Sequence, residues 1–308
     1  MTFFKKPLYL AWEDYVSGTK HRFYTYAHGI LLVGLYELLL RLAYNPRVVA
    51  YNGVDLWFKL SQFLPWGTLT ISMPLILLWG YRLYQDWMGR KSLKELQKDW
   101  REMRRNKMYR PKPKPPFRPG ENGWWYFGIM IFEGFVYGSL IYLFLRWVVW
   151  LLMIAFVPDL SIPIPLDANA TLQGYHTNLV QNIGLAFGAG FYEEALFRGL
   201  IFIMLFRLAG WSPFFKKFKV ETTDVDVIPF KIPKHKPKDP NYLFTVTVSI
   251  LIYTFSHYLI PFGDEFGGYS FLYRCLFGLM MYIIFANRRF AVVAWTHAFY
   301  DLWYFILL

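Results

Sequence analysis

The chain has 308 residues, of which 56% are hydrophobic and 21% aromatic, and its formal net charge is +12. Charged residues make up only 18% of the chain, below the roughly 25% of a soluble globular domain, so the composition excludes an ordinary soluble enzyme and indicates a polytopic membrane protein. The basic residues lie in polar loops and the aromatic residues in apolar runs, a distribution that does not indicate nucleic-acid binding.

Seven apolar runs are long enough to be predicted as membrane spans, so the expected fold class is an all-α polytopic membrane protein. In chain order the runs cover residues 23–44, 66–84, 124–157, 177–209, 243–260, 269–287 and 290–308. The third run is longer than one bilayer crossing requires, and we expect it to tilt or to continue into the membrane interface.

The loops between these runs carry an uneven charge that predicts topology. Residues 90–118 contain twelve Lys or Arg and three acids, residues 211–242 form a second, Lys-rich loop, and Arg288 and Arg289 form a basic turn. With seven spans, all three lie on the same side as the basic N-terminal segment, so the positive-inside rule predicts a cytoplasmic N-terminus. The first loop is also expected to contact anionic lipid.

Ionisable side chains inside three of the runs are the candidates for a functional site, because such groups are costly and rare at membrane depth. The fourth, fifth and seventh runs contain, in order, Glu193, Glu194, Arg198, His257, His297 and Asp301. Three helices therefore each present polar groups that can converge on a site at membrane depth.

Helical spacing gives these groups different expected positions. Glu194 and Arg198 are four residues apart, so they share a helix face and can form an ion pair. Glu193 points about 100° away from Glu194, and a dry position beside a like charge suits a general base. The second pair that is four residues apart, His297 and Asp301, allows the carboxylate to reach the imidazole and fix its tautomer.

The chain resembles the CPBP family, which comprises CAAX prenyl endopeptidases and bacteriocin-processing (Abi) intramembrane proteases. Three motifs carry the resemblance: Glu193-Glu194-x-x-Phe197-Arg198-Gly199, then His257 four residues after the aromatic Tyr253, then His297-x-x-x-Asp301. The resemblance covers residues 123–308, which become the expected catalytic membrane core. Residues 1–122 are then an N-terminal membrane region with two spans and a basic cytoplasmic loop.

The resemblance implies a glutamate-dependent membrane endopeptidase that needs no metal or other cofactor and cleaves a membrane-associated peptide or protein. In a bacterium it would reside in the cell (inner) membrane. Water activation is then assigned to Glu193 and His257, oxyanion stabilisation to His297 and Asp301, and support of the site to Glu194 and Arg198.

Two positions depart from the family pattern. The second motif usually begins with Phe, and Tyr253 stands here. The third motif usually ends in Asn. An ionised Asp301 cannot donate a hydrogen bond to an oxyanion, so it must be protonated or act by orienting His297.

Two other functions remain open on the sequence alone. One is a zinc-dependent membrane hydrolase with Glu, His, His and Asp ligands, although the chain contains no His-Glu-x-x-His motif. The other is a non-catalytic membrane scaffold or immunity-type protein, in which the charged groups only fix helix packing. The polar residues His28, Glu37 and Glu133 have no motif around them and are interpreted as packing groups.

Overall fold

The computed structural model describes residues 8–43, 65–91, 93–106, 110, 112, 118, 123–156, 179–211, 222–228, 230–233, 240–258 and 266–307. The helices are α1 Leu8–Gly18, α2 Arg22–Ala43, α3 Leu69–Trp87, α4 Leu93–Arg105, α5 Gly123–Phe156, α6 Leu179–Glu193, the π-helix Glu194–Ile201, α7 Phe202–Trp211, α8 Pro240–Ser256 and α9 Gly268–Leu307. The predicted all-α class is confirmed, with one small hairpin added between α7 and α8.

Helices occupy the apolar runs, but the number of membrane crossings remains a prediction. Within the described ranges, three helices are long and apolar enough to span a bilayer, namely α2, α5 and α9, and α8 is a shorter apolar helix. The last helix covers the sixth and seventh predicted runs as two stretches, 268–288 and 290–307. The break is at Arg289, whose φ of 70° and ψ of −173° interrupt the helix at the predicted basic turn.

Both long polar loops contain secondary structure that the sequence analysis did not predict. In the basic loop, α4 is a 13-residue helix with strongly polar composition. Within residues 211–242, β1 (Thr222–Ile228) pairs antiparallel with β2 (Phe230–Pro233). These elements were missed because the prediction relied on long apolar runs, and neither the amphipathic helix α4 nor the two short strands form such a run.

Glycines allow the C-terminal half of α9 to lie against its neighbours at close range. A Cβ on Gly134 would lie 2.5 Å from Trp295 Cβ, and one on Gly138 would lie 2.7 Å from the Thr296 carbonyl oxygen. On the other side, a Cβ on Gly190 would lie 2.4 Å from the backbone of α9. Because small residues permit such contact between membrane helices, the stretch 290–307 is held between α5 and α6.

This packing predicts that Gly138→Ala destabilises the protein, because the new methyl group would overlap the backbone of α9. The expected cost is about 1–3 kcal/mol, measured as a lower thermal unfolding midpoint in detergent. Gly128→Ala is the matched control on the same helix, since no described atom lies within 4 Å of that position. The control should be neutral or stabilising by up to about 1 kcal/mol, and an equal loss in both variants would contradict this packing.

A buried ion pair joins α1, α5 and the break in α9. Arg288 donates from Nε to Glu133 Oε1 at 2.6 Å and from Nη2 to Oε2 at 2.8 Å. The Tyr15 hydroxyl donates to the same Oε2 at 2.5 Å. The carboxylate of Glu133 is therefore fully engaged in packing, in agreement with its interpretation from the sequence.

Other contacts show which helix ends lie together. Arg22 at the start of α2 forms an ion pair with Asp86 at the end of α3. The Tyr24 hydroxyl donates to the Gly123 carbonyl at the start of α5, and Arg288 donates to Thr19 Oγ1 at 3.2 Å. The N-terminal segment, both ends of the basic loop and the basic turn thus lie at one end of the bundle. The side of the membrane that this end faces stays a prediction.

Candidate active site

The double glutamate lies where the helix changes its winding. Glu193 is the last residue of α6, and Glu194 is the first residue of a π-helix that continues to Ile201. The sequence analysis predicted a regular α-helix here. Short π-helical segments are rare and occur frequently at functional sites, so the motif coincides with an unusual backbone conformation.

The predicted pair between Glu194 and Arg198 is present despite the changed winding. Glu194 Oε1 lies 3.1 Å from Arg198 Nη1, and both side chains are buried. The guanidinium also lies 4.5 Å from the centre of the Tyr253 ring and donates from Nη2 to the Gly278 carbonyl at 3.4 Å. One buried arginine therefore ties the π-helix to α8 and to the first stretch of α9.

His297 is oriented by a residue other than the one predicted. Its Nδ1 lies 2.7 Å from Glu194 Oε1, and because a carboxylate oxygen accepts, Nδ1 carries the proton. The predicted partner, Asp301, lies 3.5 Å away, measured from Oδ2 to His297 Nε2. The close approach of α6 and α9 at Gly190 brings the Glu194 carboxylate to the imidazole, and single-helix spacing contains no information on that contact.

Glu193 occupies the other side of the same imidazole. Its Oε2 lies 3.7 Å from His297 Nε2 and is buried, and no described side chain donates a hydrogen bond to it. Three carboxylates thus surround one histidine. Nδ1 faces Glu194, and Nε2 faces both Glu193 and Asp301. Only an imidazole with a proton on each ring nitrogen presents an N–H group to all three carboxylates.

His257 lies just beyond α8, whereas the sequence analysis placed it within the fifth span. The helix ends at Ser256, and His257 follows in a turn. Its Nδ1 lies 2.8 Å from the Tyr253 carbonyl oxygen, so Nδ1 donates. In the neutral ring this leaves Nε2 as the atom that can accept a proton.

Tyr253 connects His257 to the charged cluster. Its ring centre lies 4.8 Å from that of His257, while Arg198 lies over the same ring. Phe197 packs edge-on against Tyr253 at 5.1 Å. The position where the family usually has Phe therefore holds an aromatic ring between the arginine of the first motif and the histidine of the second.

An aromatic wall on α9 completes the surroundings of His297 and was not predicted. The Phe277 ring lies 4.9 Å from the imidazole and 4.3 Å from the Tyr300 ring. The Tyr300 hydroxyl donates to that of Tyr273 at 2.6 Å. No signal singled out these residues, because aromatic side chains make up 21% of the chain.

The arrangement of ligand-type side chains bears on metal binding. Among the described residues, no three His, Cys, Asp or Glu side chains are placed so that they could hold one metal ion. The carboxylates of the cluster face Arg198 and His297 instead.

The three comparisons with known proteins gave one match. A sequence model of the family described as type II CAAX prenyl endopeptidase Rce1-like matches residues 175–303. This region belongs to the CPBP family. The predicted resemblance is confirmed over these residues, and its extension to residues 123–174 and 304–308 stays a prediction. Neither the comparison with curated proteins nor that with solved structures found a match.

The CPBP region contains all six candidate residues, and helices outside it hold it in place. Gly134 and Gly138 of α5 contact α9, while Tyr36 of α2 packs against Gly188 of α6. The family match supports a peptide hydrolase, and the long apolar helices make the chain an integral membrane protein.

Proposed function

We propose that the protein is a metal-independent intramembrane endopeptidase in which Glu193 and His257 activate water for hydrolysis of a peptide bond. The observation that carries this proposal is the unequal use of the two adjacent carboxylates. Glu194 Oε1 is shared by His297 and Arg198. The Oε2 atoms of both glutamates are buried and accept no hydrogen bond from a described side chain. Glu193 differs in that its contact with His297 is longer, at 3.7 Å, so Glu193 is assigned as the carboxylate that binds the water molecule.

In the proposed reaction, Glu193 takes a proton from water as the water oxygen attacks the carbonyl carbon of the peptide. The tetrahedral intermediate carries the negative charge on the former carbonyl oxygen. The carbon–nitrogen bond then breaks as the proton passes from Glu193 to the leaving nitrogen. General acid–base catalysis of this kind contributes typically 10²–10⁴-fold. His257 orients the water through Nε2, since its Nδ1 is held by the Tyr253 carbonyl.

His297 and Asp301 are proposed to stabilise the oxyanion. His297 lies at the centre of the cluster and presents Nε2 toward Glu193 and Asp301 at 3.7 and 3.5 Å. Asp301 is less buried than His297. When protonated it can donate a hydrogen bond to the oxyanion, and when ionised it stabilises a positive charge on His297. Preorganised donors of this kind are typically worth 10²–10³ in rate.

The role of Asp301 predicts a difference between two substitutions. Asp301→Asn should retain cleavage within about tenfold, because Glu194 fixes the His297 tautomer and the amide can donate to the oxyanion. Asp301→Ala should lose about 100-fold, since it removes the polar group entirely. The measurement is the initial cleavage rate of each folded variant relative to wild type. A loss in the Asn variant as large as in the Ala variant would contradict this account and make the carboxylate itself essential.

The proposed substrate is a membrane-associated peptide or protein. The matched family is described as CAAX prenyl endopeptidases, which act on proteins of this kind. We also propose a cytoplasmic N-terminus, residence in the cell (inner) membrane if the source is bacterial, and a division into residues 1–122 and a catalytic core of residues 123–308.

The proposed function is tested by comparing protein termini in membranes of cells that carry wild type, Glu193→Gln or Glu37→Gln. Glu37 is a buried glutamate outside the cluster that accepts a hydrogen bond from Thr68 at 2.9 Å. Glu37→Gln therefore separates the general effect of removing a buried carboxylate from the specific effect of removing Glu193. Glu193→Gln should leave at least one membrane-associated protein uncut. If it produces the wild-type termini and restores a deletion phenotype, the protein acts as a scaffold.

A further inference from the structure

A second feature of the molecule lies outside the catalytic cluster, on α4. Leu96, Trp100 and Met103 are spaced four and three residues apart, so they form one stripe along the helix. Their exposed fractions are 50%, 52% and 40%. A helix with this strong separation of apolar and charged residues normally buries its apolar face, but no other described helix packs extensively against α4.

The arginines of α4 are exposed, while two of its acids are paired with lysines. Two acids are paired within the segment, because Lys91 bonds to Asp99 and Lys98 lies 3.8 Å from Glu102. The exposed arginines of the helix are Arg101, Arg104 and Arg105. The paired acids and exposed arginines leave α4 and its flanks with a positive surface beside the apolar stripe.

Trp100 and Arg104 form a contact that suits a membrane interface. The Arg104 guanidinium carbon lies 3.8 Å from the centre of the Trp100 ring. Tryptophan prefers the headgroup level of a bilayer, where its ring is half in apolar surroundings. An arginine stacked on that ring can keep its charge among the headgroups.

The chain connection places α4 next to the membrane surface. α3 ends at Trp87, and α4 begins at Leu93. The last turns of α3 expose Tyr81, Tyr84 and Trp87, and aromatic residues of this kind prefer the membrane interface. Asp86 near the end of α3 pairs with Arg22 at the start of α2, which is long and apolar enough to span a bilayer. The N-terminus of α4 therefore follows a few residues after the level at which α2 begins.

We propose that α4 is an interfacial helix that lies in the plane of the membrane and binds anionic lipid headgroups. Leu96, Trp100 and Met103 enter the boundary between headgroups and acyl chains, and the arginines contact lipid phosphates. The twelve basic residues against three acids in residues 90–118 make an anionic surface the partner of matching charge. This proposal does not depend on the proposed peptidase activity.

The test uses the full-length protein with Cys275→Ser and one new cysteine at a time, labelled with an environment-sensitive dye. Positions 96, 100 and 103 report on the stripe, and positions 95 and 102 are controls on a different face of the same helix. The protein is placed in nanodiscs of phosphatidylcholine, with or without phosphatidylglycerol, that contain lipids with a quencher near the headgroup. Stripe positions should be quenched severalfold more strongly than controls, and phosphatidylglycerol should increase the difference.

A triple variant tests the electrostatic part of the proposal. Replacing Arg101, Arg104 and Arg105 with Gln should remove the increase caused by phosphatidylglycerol. Quenching that is equal at all five positions would overturn the interfacial helix. If the dye at the stripe positions still reports apolar surroundings in detergent without lipid, the stripe is covered by a second copy or a protein partner instead. Equal quenching in both lipid compositions would overturn the assignment to anionic lipid.

Discussion

Purified Glu193→Gln is expected to lose at least about 100-fold in cleavage rate, because the amide cannot take a proton from water. The change keeps the size of the side chain and removes a buried charge, so the variant should fold and retain its thermal unfolding midpoint or exceed it. The rate is measured on a substrate identified from the comparison of membrane termini, with the folded fraction determined by size-exclusion chromatography.

Glu37→Gln provides the matched control for this loss. Glu37 is also buried in the membrane region, but its carboxylate accepts hydrogen bonds from Ser72 and Thr68. The amide of this variant keeps one oxygen that can accept from Ser72 or Thr68. The folded variant should therefore keep its cleavage rate within about threefold of wild type, a change of less than about 1 kcal/mol in activation free energy. Comparable losses in both variants would mean that any buried glutamate is needed for folding and that Glu193 is not the base.

Arg198→Met is expected to have the largest effect on stability among the site variants. Removing the arginine leaves the buried Glu194 carboxylate with His297 as its remaining partner, and breaking a buried ion pair by removing one side costs about 3–5 kcal/mol. Cleavage should also fall by at least about 100-fold, because Glu194 no longer holds His297 in a defined orientation. Thermal unfolding and cleavage rates are measured on the same preparation.

Arg41→Met is the control for this prediction, because it removes an arginine from another Glu–Arg pair with the same spacing. Arg41 lies 3.4 Å from Glu37, but 54% of its side chain is exposed, so its loss should cost at most about 1 kcal/mol. The double variant Glu194→Gln with Arg198→Met should recover part of the lost stability without recovering cleavage. Equal unfolding midpoints for Arg198→Met and Arg41→Met would contradict a structural role for the buried pair.

The sequence was most informative where interactions are local. The pair between Glu194 and Arg198 follows from a spacing of four residues on one helix, and the structure contains it. The fold class was predictable because apolar length alone identifies the long helices.

Contacts between helices could not be predicted in the same way. His297 bonds to Glu194 rather than to Asp301, because α6 and α9 approach closely at Gly190, more than a hundred residues away along the chain from His297. The π-helix after Glu193 has no sequence signal that distinguishes it from an α-helix. The helix α4 was missed for the opposite reason, since its signal is amphipathic spacing in a segment of low mean hydropathy.

The N-terminal region illustrates how non-local packing supports the site. The Ser72 hydroxyl lies 2.5 Å from that of Tyr192, which directly precedes Glu193, and Ser72 also donates to Glu37. Tyr36 packs edge-on against Tyr192 at 5.5 Å. Helices outside the matched CPBP region therefore contact the end of α6 that carries the double glutamate.

The central claim is that a buried glutamate hydrolyses a peptide bond without a metal. The most direct measurement is the cleavage rate of chelator-treated, full-length protein whose metal content is determined on the same sample. The account predicts that wild type retains its rate at a metal content far below one ion per chain, and that Glu193→Gln is inactive in that sample. Loss of cleavage on chelation with recovery on addition of zinc, or undiminished cleavage by Glu193→Gln, would contradict it.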